Sequence, residues 1–152
     1  MGSSTRSILN LLRILALVAG LVLLAPINPG RATDGRDFAG FYALSNVADL
    51  GTDYRVTLTV RVFNYSDADV SGATVTLQDS FQTDADYGAY PGTISIPDRE
   101  SVRLSADFTV PREEYDRWQS GDTPRLRMDY QNNSGNAVRR IIELAQGPAG
   151  DE

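Results

Sequence analysis

From Tyr54 to Phe63 every second residue is apolar: Val56, Leu58, Val60 and Val62 alternate with Arg55, Thr57, Thr59 and Arg61. On an extended chain successive side chains point to opposite faces, so this spacing sets an apolar face against a polar one, as no helix would. The same period relates Ala73, Val75 and Leu77 to Thr74, Thr76 and Gln78, and Val102, Leu104, Ala106, Phe108 and Val110 to Arg103, Ser105, Asp107 and Thr109. Weaker runs at Phe41 to Val47, Thr93 to Ile96, Arg125 to Tyr130 and Ala137 to Ala145 raise the count to about seven strands, divided by Gly, Pro, Asn and Asp clusters. That rhythm predicts an all-β, antiparallel β-sandwich rather than a parallel α/β sheet. The last run stumbles at Arg139-Arg140, which reads as a bulge or a charged edge.

One stretch departs from the strand pattern. Pro111 followed by Arg112, Glu113 and Glu114, and closed by Gly121, is the signature of a short helix: proline opens it and acids sit in its first turn. Tyr115 and Trp118 are three apart and share a face of that helix. They read as a plug for the open end of the sandwich; the other reading is an exposed aromatic anchor.

The amino-terminal end belongs to another kind of segment. Ile14 to Ala25 is an uninterrupted run of apolar or small residues behind Arg6 and Arg13 and ahead of Pro26. A positive flank, a short apolar run and a small-residue exit at Gly30 and Ala32 predict a secretory signal peptide over residues 1–32, with Thr33 as the new terminus. The run falls short of the roughly 20 apolar residues that a spanning helix needs. No cysteine follows it to carry a lipid anchor. The expected order is therefore a signal peptide at 1–32, a linker at 33–38, one domain at 39–146 and a tail at 147–152, in a periplasmic or extracellular protein that touches membrane only if the signal segment stays uncleaved.

Charge narrows the partners. Residues 1–32 hold Arg6, Arg13 and Arg31 and no acid, so removing these three of the 14 basic residues leaves 11 against 20 acids, a formal charge of −9. Nucleic acid and anionic lipid would be repelled by such a surface. Without cysteine, an exported domain of this size is held by its core alone. The chain also has no histidine, and all its basic residues are arginine.

The stretch from Tyr54 to Gln78 carries a resemblance. Val60-Arg61-Val62-Phe63-Asn64-Tyr65-Ser66, then Gly72-Ala73-Thr74-Val75, is an alternating strand ending in Asn and a small polar turn, with the next strand after a Gly. This resembles the bacterial extracellular immunoglobulin-like modules of the CARDB kind (cell-adhesion-related domain found in bacteria). The resemblance implies an immunoglobulin/fibronectin-like sandwich serving as an adhesion or accessory module, and it transfers no catalytic residue. The expected domain order holds one such module rather than a tandem array.

An up-and-down strand order would gather the loops Ala48 to Asp53, Asp79 to Gly92 and Pro111 to Pro124 at one end, and Asn64 to Asp69, Pro97 to Glu100 and Gln131 to Asn136 at the other. Two candidate sites fall at the first end. Tyr87, Tyr90 and Trp118 would form an aromatic binding platform for a sugar or peptide. Asp79, Asp84 and Asp86 would begin an oxygen cage for calcium, a hard cation that takes six to eight oxygen ligands. Against the cage stands the ordinary use of Asp in turns.

Catalysis has little to work with. Without His, Cys or Lys, a serine nucleophile lacks its usual base, and paired carboxylates need a cleft at a defined separation. The expected function is a noncatalytic binding or interaction module with a protein partner in the cell envelope or outside it. A carbohydrate- or calcium-binding β-sandwich is the alternative.

Overall fold

The computed structural model describes residues 37–82 and 85–147. The segment read as a signal peptide, Asp84 and the tail from residue 148 lie outside them. In chain order the elements are β1 (Phe38–Asp49), β2 (Asp53–Asn64), β3 (Val70–Gln78), β4 (Asp86–Ala89), β5 (Ile94–Ile96), β6 (Ser101–Pro111), the helix α1 (Arg112–Ser120), β7 (Arg125–Gln131) and β8 (Ala137–Gln146). The class is all-β.

Strand β2 is the centre of one half. Its alternation buries Val56, Leu58, Val60 and Val62 to within 1% of complete. On one side β2 pairs antiparallel with β1, and on the other with β6 through eleven unbroken pairs from Asp53↔Pro111 to Phe63↔Ser101. The other half is β3, β7 and β8, antiparallel throughout, with Leu77, Leu126 and Met128 fully buried. Burying each such side chain contributes about 1.5 to 3 kcal/mol.

The halves are not separate layers, which corrects the wholly antiparallel seven-strand arrangement. Gly40, Phe41 and Tyr42 of β1 pair in parallel with Leu144, Ala145 and Gln146 of β8. One mixed sheet therefore runs β4-β3-β7-β8-β1-β2-β6 and curls nearly into a barrel. Gly40 permits this join: a Cβ there would lie 2.4 Å from Leu144 Cδ2 and 3.3 Å from Ile142 Cγ2. Strands β4 and β6, the two ends of the path, do not pair. Their seam is packed by Tyr90 against Phe108, ring centres 5.1 Å apart, with Gly88 beside the same ring at φ 136°, a conformation that suits glycine.

Two further expectations are corrected. The segment expected as a loop from Asp79 to Gly92 contains β4, which runs along β3 through Thr76↔Ala89, Leu77↔Gly88 and Gln78↔Asp86, and β5 follows it along the same strand. At Arg139-Arg140 there is no bulge, because the β7–β8 register is regular from Arg125↔Glu143 to Gln131↔Ala137. Among the described residues that part of β8 has a partner on one side only, so the two arginines mark an edge.

Candidate functional site

Pro111 precedes α1 with φ −56° and gives no side-chain cap. Gly121 ends the helix at φ 112°, a left-handed conformation that suits glycine, and its N–H returns to the Arg117 carbonyl. One turn of helix then places Glu114, Arg117 and Trp118 on one face, over the end of the barrel.

Glu114 is 1% exposed, unusual for a carboxylate. Its Oε1 accepts the Ser80 N–H at 3.0 Å, the Ser80 hydroxyl at 2.6 Å and the Trp118 indole N–H at 2.8 Å. Its Oε2 is bonded to Arg117. Ser80 is thereby tied to the helix, 34 residues away in the chain. That bond to Glu114 raises the Arg117 guanidinium further above its usual value.

Asp79 continues the network. Its Oδ1 takes the N–H groups of Phe81 and Gln82 at 2.7 and 2.9 Å, and its Oδ2 takes the Tyr87 hydroxyl at 2.5 Å and Arg117 at 3.4 Å. Burial alone would raise its pKa, but the hydrogen bonds from Tyr87, Gln82 and Phe81 outweigh it, and the carboxyl stays below the ordinary Asp range. Burial and the same bond to Asp79 push the Tyr87 hydroxyl far up. Asp86 lies across from Gln78, accepts its amide at 3.1 Å, and is held by Arg127 at 2.8 Å. Arg127 also bonds Asp129, which in turn accepts Arg139 at 2.7 Å.

The structure thus brings Asp79, Tyr87 and Trp118 into one network and places Asp86 in another. Asp84 lies outside the described residues. Asp79 and Asp86 are each satisfied by protein donors, and among the described residues no three acidic side chains converge to hold a metal. Tyr90 and Trp118 are 3% and 4% exposed, with the Tyr90 hydroxyl on the Leu58 carbonyl at 3.2 Å, so neither ring presents a face to solvent. Of the platform expected from Tyr87, Tyr90 and Trp118, the last two are interior and Tyr87 is half-buried. Beside Trp118 an open groove of about 450 Å³ runs between α1 and the end of β1, lined by Tyr42, Leu44, Val47, Tyr115 and Trp118.

At the other end Asn64, fully buried, is likewise structural. Its amide nitrogen reaches the carbonyls of Ala68, Ile96 and Pro97 at 2.8 to 3.2 Å, and its oxygen accepts the Ser66 N–H and hydroxyl. Asn therefore ends β2 because it joins the β2–β3 turn to the β5–β6 connection.

Phe81, 63% exposed with Arg117 4.9 Å over its ring, is an exposed aromatic at the Asp79 end; a cluster of such rings lies elsewhere, on the outer faces of β1 and β2. Phe41 packs edge-on against Phe63 with centres 6.0 Å apart, and Phe63 stacks on Tyr65 at 5.9 Å with planes 6° apart. Arg61 lies 5.1 Å over the Phe63 ring. Phe41 and Tyr65 are 41% and 56% exposed. The signal was in the sequence: Phe63 and Tyr65 continue the outward parity of Arg55, Thr57, Thr59 and Arg61.

No family model matches the chain, and no curated protein matches it in sequence. Several solved structures are similar in chain path. A structural-genomics target, SoR45, is 13% identical over 74% of this chain and 86% of its own, with a TM-score of 0.41. A GH20 exo-β-N-acetylglucosaminidase from Vibrio harveyi, solved as an inactive mutant, is 12% identical over 72% of this chain but only 18% of its own, also at 0.41. A FixG-related protein from Vibrio parahaemolyticus is 11% identical over 74% of this chain and 98% of its own, at 0.34. Likenesses this distant carry nothing about activity. Among the described residues no helix is long and apolar enough to cross a membrane.

Proposed function

We propose that this chain is an exported, noncatalytic immunoglobulin-like module that binds a protein partner in the cell envelope through the strip Phe41, Phe63 and Tyr65. The observation that carries the reading is the strip itself: three touching aromatic rings on the outer face of a sheet, where their apolar area adds nothing to the core. Exposed aromatic clusters of this kind mark interaction surfaces, and Arg61 over Phe63 adds the cation that such surfaces favour. The resemblance of residues 54–78 to CARDB-type modules points the same way. Export rests on the segment 1–32, with Arg6, Arg13 and the run from Ile14 to Ala25.

A carbohydrate partner is the alternative, favoured by the near-parallel Phe63 and Tyr65 rings, which offer a flat face to a sugar. The test is a photo-crosslinking residue at position 65, with position 74 on the exposed part of β3 as control, in intact cells. A discrete protein adduct from position 65 alone is expected, on a chain whose amino terminus maps to Thr33. Absence of any protein adduct, together with saturable binding of soluble glycans that Tyr65→Ser abolishes, would replace the protein partner with a sugar.

A further inference from the structure

Strand β6 has a partner on one side only. Two bonds fix which of its main-chain groups are used: Asn64 N–H donates to the Glu100 carbonyl just before β6, and Arg112 N–H just after it donates to Thr52. Both are even-numbered residues of this segment, and the eleven β2–β6 pairs between them have no register shift. Even residues of β6 therefore hydrogen-bond to β2, and the N–H and C=O groups of Ser101, Arg103, Ser105, Asp107 and Thr109 point the opposite way. Among the described residues no strand pairs with that edge.

Open edges are ordinarily protected by a bulge, an internal proline, a charge turned inward or a short length. Strand β6 has none of these, and its protection is limited to the outward charges of Arg103 and Asp107: it is eleven residues long, regular, and its one proline stands at its end. Its inward residues Val102, Leu104 and Ala106 are only half-buried, whereas their counterparts Val62, Val60 and Leu58 on β2 are buried completely. Apolar side chains at the middle of this edge are left partly in water.

The outward residues form a self-complementary pattern. Arg103 and Asp107 flank Ser105 at equal spacing. We propose that β6 is the interface of a symmetric dimer, in which it pairs antiparallel with β6 of a second copy about an axis at Ser105. Such pairing sets Arg103 opposite Asp107 of the partner subunit, and Asp107 opposite Arg103 of the partner subunit. Ser105 faces its own copy, and Leu104 covers Ala106 of the partner subunit. The same patch serves both chains, as a two-fold interface requires, and oppositely charged cross-strand pairs favour this register over its neighbours.

The chain has no cysteine, so Ser105→Cys introduces the sole thiol. At a hydrogen-bonded antiparallel pair the two Cα atoms lie about 5.5 Å apart, within reach of a disulfide. The full chain carrying Ser105→Cys is expected to give a disulfide-linked dimer under oxidising conditions, while Thr74→Cys on β3 gives none. In sedimentation the unmodified chain should show a monomer–dimer equilibrium. Arg103→Asp should weaken it at least tenfold at unchanged circular dichroism, and the double exchange Arg103→Asp with Asp107→Arg should restore it. A chain that stays monomeric at every concentration overturns the proposal. So does a dimer that ignores Arg103→Asp, or one that crosslinks through Tyr65→Cys and not Ser105→Cys.

Discussion

Ser80 gives two hydrogen bonds to one oxygen of Glu114, from its N–H at 3.0 Å and its hydroxyl at 2.6 Å, and so fastens the end of β3 to the helix that follows β6. The Trp118 indole shares that oxygen, and Arg117 holds the other. A buried carboxylate with four donors is a cross-brace between the two halves of the sheet. Removing one partner of such a cluster leaves the others desolvated and unpaired, which costs more than the net value of the bonds.

Glu114→Ala is therefore expected to destabilise the fold by about 3 to 5 kcal/mol. Glu114→Gln keeps an acceptor for Ser80 and Trp118 while removing the charge that faces Arg117, and should cost distinctly less. Urea unfolding of both variants at neutral pH checks this. Equal losses would mean that the ion pair with Arg117, and not the bonds to Ser80 and Trp118, carries the brace.

The acid limb of stability follows from Asp79 and Asp129, both held below the ordinary carboxylate range. For Asp129 the bonds from Arg139 and Arg127 overcome the opposing effect of burial. A group whose folded pKa is depressed stabilises fully above its unfolded value, near 3.9, and loses that contribution as pH falls through the folded one. Stability should drop from about pH 4 downward. Tyr87→Phe deletes the 2.5 Å bond that helps keep Asp79 ionised, so its folded pKa moves up and the acid slope becomes shallower. Urea midpoints at several pH values measure that slope. An unchanged slope in Tyr87→Phe would show that Asp79 is held down by the Phe81 and Gln82 N–H groups instead.

What could be read in the chain and what could not divides along the range of the interactions. The alternation of Val56, Leu58, Val60 and Val62 is local, and those four residues are buried to within 1% of complete. The helix between Pro111 and Gly121 is signalled by its own ends and forms over Arg112–Ser120. The parallel join of β1 to β8 brings together residues about a hundred apart, and Gly40 is its sole local mark. Strand β4 has four residues with a glycine among them, too few for a period to show. Glu114 looked like an ordinary first-turn acid, because nothing nearby in sequence announces Ser80. Phe63 and Tyr65 are legible by parity, whereas Asp79 and Asp86 lie in a turn-rich segment whose sequence does not show that Arg117 and Arg127, distant in the chain, already hold them.

The Gly40 position makes a test of the join between the halves. Gly40→Ala puts a methyl group where Leu144 Cδ2 lies at 2.4 Å, so the Leu144 side chain or β8 must shift. The expected loss is about 1 to 3 kcal/mol, the usual range for overpacking. In a Leu144→Ala background the clashing atom is gone, and the same change should cost much less. A double-mutant cycle by urea unfolding reads the coupling directly. Strict additivity would mean that Gly40 is needed for its backbone and not for the room it leaves Leu144.

Trp118 reports on the end of the barrel, because it is the single tryptophan in the chain and is 4% exposed. Its emission should be blue-shifted and resist acrylamide quenching, and Ser80→Ala, which removes one neighbour of its indole N–H, should perturb it more than Ser134→Ala in the β7–β8 turn. Calcium provides the second half of the measurement. Asp79 is occupied by Tyr87, Arg117 and two N–H groups, and Asp86 by Gln78 and Arg127, so a cation would compete with donors that each carboxylate already holds. A cation that bound only the folded chain would raise the melting temperature with concentration. Calcium should therefore leave both the melting temperature and the Trp118 emission unchanged. A saturable rise that Asp84→Ala abolishes, with Asp79 and Asp86 intact, would mean that the metal recruits Asp84 and displaces Arg127 or Tyr87 to do so.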